Sequence, residues 1–330
     1  MTIGVATGYN GKRNRIDGAS RAARPGPRSP DLPAPIRMPQ LNNDRRTMTT
    51  DNLDTPSVTE LVEAAEEITD LPARFRLDGR RYVVLGGGRG MGRHTSHSLA
   101  QLGARVVVVD SEQERADAVA AEIGDAAVAR VVDATNDKEM SAFATDIGSI
   151  DGVVDVIGIA RYEALLDVSE ADWMWEHDIV LRHAWLAVRH FGRRLAQQGR
   201  GTLTFVASVS GLSSAPGHGA YGVFKAGLVS LVRTAAVELG PSGVRVNAVA
   251  PGFVLTPRMA DVLDEAQLEN SRAGAPLTRL TTPSDIAAGI TFLVSDLAAA
   301  ITGQTLVIDA GATSSYPYRM GGSDSSPADE

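Results

Sequence analysis

Seven short apolar runs, each followed by a stretch with helical spacing, constrain this chain more than any other feature. They read RYVVL (81–85), ARVVVVD (104–110), VARVVD (128–133), GVVDVIG (152–158), TLTFVAS (202–208), VRVNAVA (244–250) and TLVIDA (305–310). Runs so rich in valine and isoleucine leave no polar face for water, as in a parallel sheet buried on both sides. Parallel neighbours need a crossover, and the helical stretches between the runs supply it. The expected fold is α/β: a doubly wound sheet of about seven parallel strands with helices on both faces, in one domain spanning residues 75–312.

The remaining chain reads differently. Residues 1–47 carry nine Lys/Arg and three Asp/Glu, a net of +6 against −8 for the whole chain, which leaves −14 for residues 48–330. The segment is expected to be a disordered basic extension. Three origins stay open for it: sequence ahead of a start at Met48, a basic tail for an acidic partner, or a transit segment. Ser57-Val58-Thr59-Glu60 has the form of a capping box. The LVEAAEEI after it predicts a short helix within a 48–74 extension. Residues 313–330 are expected to be a flexible tail.

Composition removes several function classes. There is no cysteine, so disulfide and thiolate chemistry are excluded. The six histidines show no HExxH or other metal-ligand spacing, and no metal is expected. An acidic body speaks against nucleic acid as a partner. No apolar run is expected to approach the roughly 20 residues of a membrane span.

Gly86-Gly87-Gly88-Arg89-Gly90-Met91-Gly92 lies between the first strand and the helix that follows. Glycines there let the backbone turn tightly and approach a pyrophosphate at the helix N-terminus. The next strand ends in Asp110, 18 residues after Gly92. A carboxylate at that point can bind both ribose hydroxyls and repels a 2′-phosphate. Asp110 therefore predicts NAD in preference to NADP, although Arg89 pulls the other way.

The second chemical feature is Tyr221-x-x-x-Lys225. The chain has three lysines, Lys12, Lys138 and Lys225, against 29 arginines. Lysine retained in such a chain points to a tunable charge that arginine cannot replace. Residues four apart share a helix face, so the ammonium is expected to lower the Tyr221 pKa and make it a proton donor and acceptor.

In register, these features resemble the short-chain dehydrogenase/reductase family in its single-domain Rossmann form. The resemblance rests on Gly86, Gly90 and Gly92; Asp110; Ser208 thirteen residues before Tyr221; Tyr221 and Lys225; Asn247 in VRVNAVAPG; Pro251-Gly252 followed by Thr256; and the closing ITGQTLVIDAG. It implies that Tyr221 is the general acid/base, that Lys225 holds the nicotinamide ribose, and that Ser208 orients the substrate oxygen. It implies cofactor contacts at Gly86, Arg89, Gly90, Met91, Gly92 and Asp110. Asp133 and Ala134 would lie on the adenine side, with Gly158, Tyr221 and Lys225 further along. Pro251, Gly252, Val254 and Thr256 would surround the carboxamide.

Three positions depart from the family. Leu85 stands where threonine is usual, Asp155-Val156-Ile157-Gly158 replaces NNAG, and Val180 replaces the asparagine that helps hold a relay water. Either backbone groups or one of His177, Asp178 and His183 take over, or the protein binds dinucleotide without efficient turnover.

Substrate choice is expected from residues 159–166, 209–219 and 253–280, the last forming a lid. Met91, Ile159, Tyr162, Leu212, Phe253, Val254 and Met259 suggest an apolar wall, hence a neutral secondary alcohol or ketone, with cyclic, terpenoid and steroid-like ones among the candidates. His218 lies close enough to meet substrate. The alternatives are an NADPH-dependent 3-oxoacyl-thioester reductase and a dinucleotide-binding scaffold with an impaired site. A cytoplasmic homo-oligomer, tetramer or dimer, is expected through long helices near 171–198 and 219–239.

Overall fold

The structure is a computed structural model of the chain, and it describes residues 57–66, 68–260 and 264–314. The expected extension 1–47 and nearly all of the tail 313–330 lie outside the described residues. Contacts divide the chain after Glu67. The first unit contributes one described helix, α1 (Val58–Ala65), where the sequence predicts one. The capping-box expectation turns on Glu60, whose side chain lies outside the described residues.

The second unit is built on strands β1 (Arg81–Leu85), β2 (Arg105–Asp110), β3 (Ala127–Val131), β4 (Gly152–Asp155), β5 (Gly201–Val206), β6 (Val244–Pro251) and β7 (Thr305–Ile308). All are parallel, in the order β3-β2-β1-β4-β5-β6-β7. Successive side chains point to opposite faces, so each central strand feeds two cores. On β1, Val83 and Leu85 join the core that also holds Phe143, Phe191 and Leu228, while Tyr82 and Val84 join the one that holds Leu99, Val119 and Ile290.

The first core is covered by α5 (Asp137–Asp146), the chain from α6 (Glu170–Glu176) through α7 (His183–Ala187) to α8 (Arg193–Gln198), and α9 (Gly219–Leu239). The second lies under α3 (Gly90–Gln101), α4 (Gln113–Ile123) and α12 (Pro283–Val294). Helix starts follow local chemistry: the Ser169 side chain accepts from Asp172 N–H at the head of α6, and Thr282 and Asp285 form a capping box before α12. α2 (Leu71–Phe75) belongs to this unit, with Arg74 donating to Asp296 O at 2.6 Å.

Three expectations need correction. The runs 128–133 and 305–310 are not buried on both faces: β3 and β7 are the edge strands, and Val128, Val131, Leu306 and Val307 are exposed. The helix expected over 171–198 is not continuous, because π-helical turns at His177–Arg182 and Val188–Gly192 interrupt it. Finally, one helical stretch, Gly219–Ser242, does reach membrane-span length, with 24 residues. Its apolarity has another cause: Leu228, Val229, Val232 and Ala236 pack into the core.

The order reverses between β1 and β4, since β2 and β3 lie to one side of β1 and β4 to β7 to the other. The turns leaving β1 and β4 therefore diverge and open a crevice at the strands' carboxyl ends. The Gly86 turn and the Asp155–Gly158 segment both emerge there.

Candidate active site

The glycine turn is shaped by close approach rather than by flexibility. Gly86 has φ +77°, and Gly87 N–H donates to Val109 O at 2.8 Å, tying the turn to β2. Gly88 N–H donates to Asp110 Oδ2 at 3.1 Å, and a Cβ on Gly88 would lie 2.6 Å from that oxygen. A Cβ on Gly92 would lie 2.0 Å from Gly86 O, so α3 can start this close to β1 only with glycine there. At Gly90 a Cβ would meet only Thr256 Cγ2 at 3.9 Å, and no side chain caps the helix. This leaves bare backbone and a positive helix terminus facing the crevice, a cradle that fits a pyrophosphate.

The crevice brings together ten of the residues expected at the cofactor: Gly86, Arg89, Gly90, Met91, Gly92, Asp110, Asp133, Ala134, Gly158 and Thr256. Asp110 is held firmly, its Oδ1 accepting from Glu112 N–H at 3.2 Å. Asp133 Oδ1 accepts from the Thr135 N–H and hydroxyl. Tyr221, Lys225, Pro251, Gly252 and Val254 are not among the lining residues. Val254 packs into the core beneath α12, and a Cβ on Gly252 would meet Asp309 Cβ at 2.6 Å. Thr256 alone of that stretch reaches the crevice.

Sequence reasoning missed Ser111, Arg115, Ile157 and Ile179, which also line it. Arg115 could have been found as a cation in the first turn of the helix after Asp110. Ile179 could not, because its place depends on the π-helical turn. Asn247, part of the motif pattern, acts elsewhere: its side chain donates to Ile301 O at 2.8 Å and accepts from Gln304 N–H at 3.0 Å.

The second half of the site stands where β5 ends. Ser208 follows the strand and its Oγ accepts from Ser210 N–H at 3.1 Å. Tyr221, in the first turn of α9, is hydrogen-bonded to Ser208. Burial pushes the Tyr221 pKa up, Tyr162 and Glu176 add to the rise, and the Ser208 bond opposes it. The expected lowering by Lys225 is absent. The Lys225 ammonium lies 5.6 Å from the Tyr221 ring centroid and donates to Val206 O at 2.7 Å. Burial therefore favours the neutral phenol at Tyr221. Burial, partly offset by Asp155, brings the Lys225 pKa down to about 8. A Cβ on Gly158 would lie 2.8 Å from Lys225 Nζ, which places that ammonium against the wall of the crevice.

Val180 is fully buried and packs with Ala220 and Phe224 of α9. Of the three polar candidates near it, His177 and Asp178 pair with each other at 3.0 Å, both partly exposed. His183 is 1% exposed and meets Asp155 inside the protein.

A Gly-rich turn at the switch point of a seven-stranded parallel sheet, with Ser208, Tyr221 and Lys225 grouped where β5 ends, has the form of a dinucleotide-dependent oxidoreductase. The family model described as enoyl-(acyl carrier protein) reductase matches residues 86–313. The chain belongs to the short-chain dehydrogenase/reductase family. It is 36% identical over 254 residues to a galactitol 2-dehydrogenase of Rhizobium johnstonii, covering 73% of this chain and 97% of that one. It is 33% identical over 244 residues to a 3-oxoacyl-(acyl-carrier-protein) reductase of Thermotoga maritima, covering 72% and 99%. A crystal structure of 7α-hydroxysteroid dehydrogenase with NADH and 7-oxo glycochenodeoxycholic acid superposes with TM-score 0.71 at 28% identity, covering 74% of this chain and 98% of that one. These relatives support an oxidoreductase with a nicotinamide cofactor.

Proposed function

We propose that this protein is an NAD-dependent oxidoreductase that interconverts a neutral secondary alcohol and its ketone. The observation that carries the reading is the Ser208–Tyr221 hydrogen bond at the end of β5, with Lys225 buried against Gly158 of the crevice. In the oxidative direction the carbinol C–H bond breaks with its electron pair, and the O–H proton passes to Tyr221. The nicotinamide, when bound, accepts that hydride or returns it. Ser208 Oγ holds the substrate oxygen, and the Lys225 ammonium, buried against Gly158, would hold the nicotinamide ribose. In the reductive direction Tyr221 gives its proton to the carbonyl oxygen.

Tyr221→Phe keeps the ring and removes the hydroxyl. It is expected to cut turnover by about 10³-fold while NADH binding, followed by fluorescence, stays close to wild type. Turnover that survives the change would sink this assignment. Because burial raises the Tyr221 pKa, the phenol dominates at neutral pH. Alcohol oxidation should accordingly climb with pH and ketone reduction decline, in steady-state assays run in both directions.

Asp110 supports NAD, since its carboxylate stands in the crevice where a 2′-phosphate would meet it. Arg89 and Arg115 flank the same wall and limit that repulsion. Asp110→Asn keeps an acceptor for the backbone and removes the charge. It is expected to improve NADPH affinity relative to NADH at least about tenfold, an effect of about 1.4 kcal/mol. An unchanged ratio in paired titrations would show that Asp110 does not choose the cofactor.

The mouth supports an apolar, cyclic substrate. The loops expected to select it leave Tyr162, Leu165, Leu166, Leu212 and Leu255 exposed, and Arg161 is bound to Asp172. Tyr162 stands 6.1 Å from Tyr221 and 5.3 Å from His218, ring to ring. The bile-acid enzyme among the structural relatives acts on a substrate of this kind. The 3-oxoacyl-thioester reading draws on the Thermotoga maritima relative, and a panel of cyclic alcohols, polyols and 3-oxoacyl thioesters separates the two.

A further inference from the structure

Lys225 poses a problem of charge. It is 1% exposed, and the one hydrogen bond shown for its ammonium goes to Val206 O. A carbonyl dipole does not offset the cost of burying a cation; an opposite charge must share that task. Among the described residues, Asp155 is the carboxylate that acts on Lys225, pulling its pKa back up against burial. The geometry agrees. Asp155 ends β4 beside Phe205, the residue before Val206 on the neighbouring strand. The segment it starts runs to Gly158, which packs on Lys225 Nζ.

Asp155 is itself held in an unusual way. It is 2% exposed, and its Oδ1 accepts from Ile157 N–H at 3.0 Å. His183 Nε2 stands 3.2 Å from the same oxygen. An ionised Asp155 requires that Nε2 carry the hydrogen, because a carboxylate only accepts. Asp155 Oδ2 and His183 Nδ1 are buried with no hydrogen-bond partner in the protein. A buried carboxylate and imidazole are costly to retain for packing alone, since apolar residues of similar volume serve as well or better.

We propose that Asp155 and His183 form a buried charge-keeping pair for Lys225. Asp155 supplies the opposite charge for the buried ammonium, and His183 holds the Asp155 carboxylate in place. Both are positioning residues that act through Lys225. The proposal deepens the function proposed above, because its use in catalysis rests on Tyr221 and Lys225 being partners there.

The surrounding titratable groups do not substitute for the pair. Tyr221 precedes Lys225 by one turn of α9. Glu176 from α6 and Tyr162 from the loop after β4 act on Tyr221, not on Lys225. His218, before α9, stacks on Tyr162. His177, Asp178 and Arg182, in the turn of helix before His183, are joined to one another towards the surface.

With three lysines in the chain, the test is direct. Protein labelled with 13Cε-lysine is titrated by NMR, and Lys12→Arg and Lys138→Arg identify the Lys225 resonance. In the wild type Lys225 should titrate near 8. Asp155→Asn should lower that value by about one unit or more, as loss of a close opposite charge does. His183→Leu, which leaves Asp155 without its side-chain donor, should lower it in the same direction. His183→Gln, which restores an N–H donor, should bring it back towards wild type. A Lys225 titration unmoved by Asp155→Asn or by His183→Leu would overturn the proposal. NADH binding checks that each variant is folded, and His183→Leu carries the test if Asp155→Asn does not fold. The measurement needs no turnover. If Tyr221→Phe retains activity, the functional reading fails while the charge-keeping pair can still stand.

Discussion

Replacing Lys225 by methionine is expected to abolish turnover and to remove a rise in stability that the wild-type protein shows between about pH 8 and pH 10. The folded pKa of Lys225 is about 8, against 10.5 when exposed in the unfolded chain. Below pH 8 both states hold the proton, and the full cost of burying the charge is present. Between the two pKa values the unfolded chain holds the proton more tightly, so stability rises with pH. The gain is about 2 kcal/mol between pH 8 and pH 10, after which the buried tyrosines begin to act in the opposite sense. Methionine has nearly the length of lysine and no charge to titrate, so its denaturation midpoint in urea should follow a flatter course with pH. The same slope in both proteins would show that Lys225 is not held at a depressed pKa. Turnover should drop by about 10³-fold, because no ammonium then positions the nicotinamide ribose beside Gly158. The site thus trades stability for chemistry at this residue: the chain keeps a buried charge whose cost an apolar side chain would avoid.

Gly92→Ala is expected to have the other large effect, on binding and on folding together. The added Cβ would sit 2.0 Å from Gly86 O and 2.9 Å from Gly87 Cα. Both are backbone, so no side chain can swing aside; either α3 or the β1 turn must move. Forced overpacking of this kind costs about 3 kcal/mol or more. The shift would also pull the α3 N-terminus from the pyrophosphate cradle, with NADH affinity reduced by about 100-fold or more. Gly90→Ala meets no comparable neighbour within the protein. It should disturb the fold less, although its φ of +53° resists a side chain. A calorimetric scan and an NADH titration on both variants separate the two kinds of glycine. Equal behaviour would mean that close packing at Gly92 is not what the turn requires.

The two halves of the site differ in how far they could be read from the chain. The nucleotide half is local: a strand end, a glycine turn and the acidic end of the next strand lie within Gly86–Asp110, and period and spacing reveal them. Six expected residues, Gly86, Arg89, Gly90, Met91, Gly92 and Asp110, line one crevice for that reason. Pro251, Gly252 and Val254 are different, because which of them faces the crevice depends on how the chain after β6 packs on α12 and β7. The sequence therefore placed the stretch without telling its members apart. The same holds for Val180. Its identity showed that a hydrogen-bonding side chain is missing, but not that the side chain would be spent on packing against Ala220 and Phe224.

What the sequence alone determined is the succession of seven strands and their helices along the chain, the glycine turn with Asp110, and the presence of Tyr221 and Lys225 on one helix. These depend on short-range periodicity and on residue chemistry. Tertiary structure alone decided the electrostatics. Asp155 and His183 are 28 residues apart, yet meet at 3.2 Å because β4 and the helix after it pack face to face. Likewise the neutral state of Tyr221 follows from burial and from Glu176 and Tyr162, and the depressed pKa of Lys225 follows from its depth. Charge states respond to the distance and solvation of groups remote in sequence, and those exist only once the chain is folded.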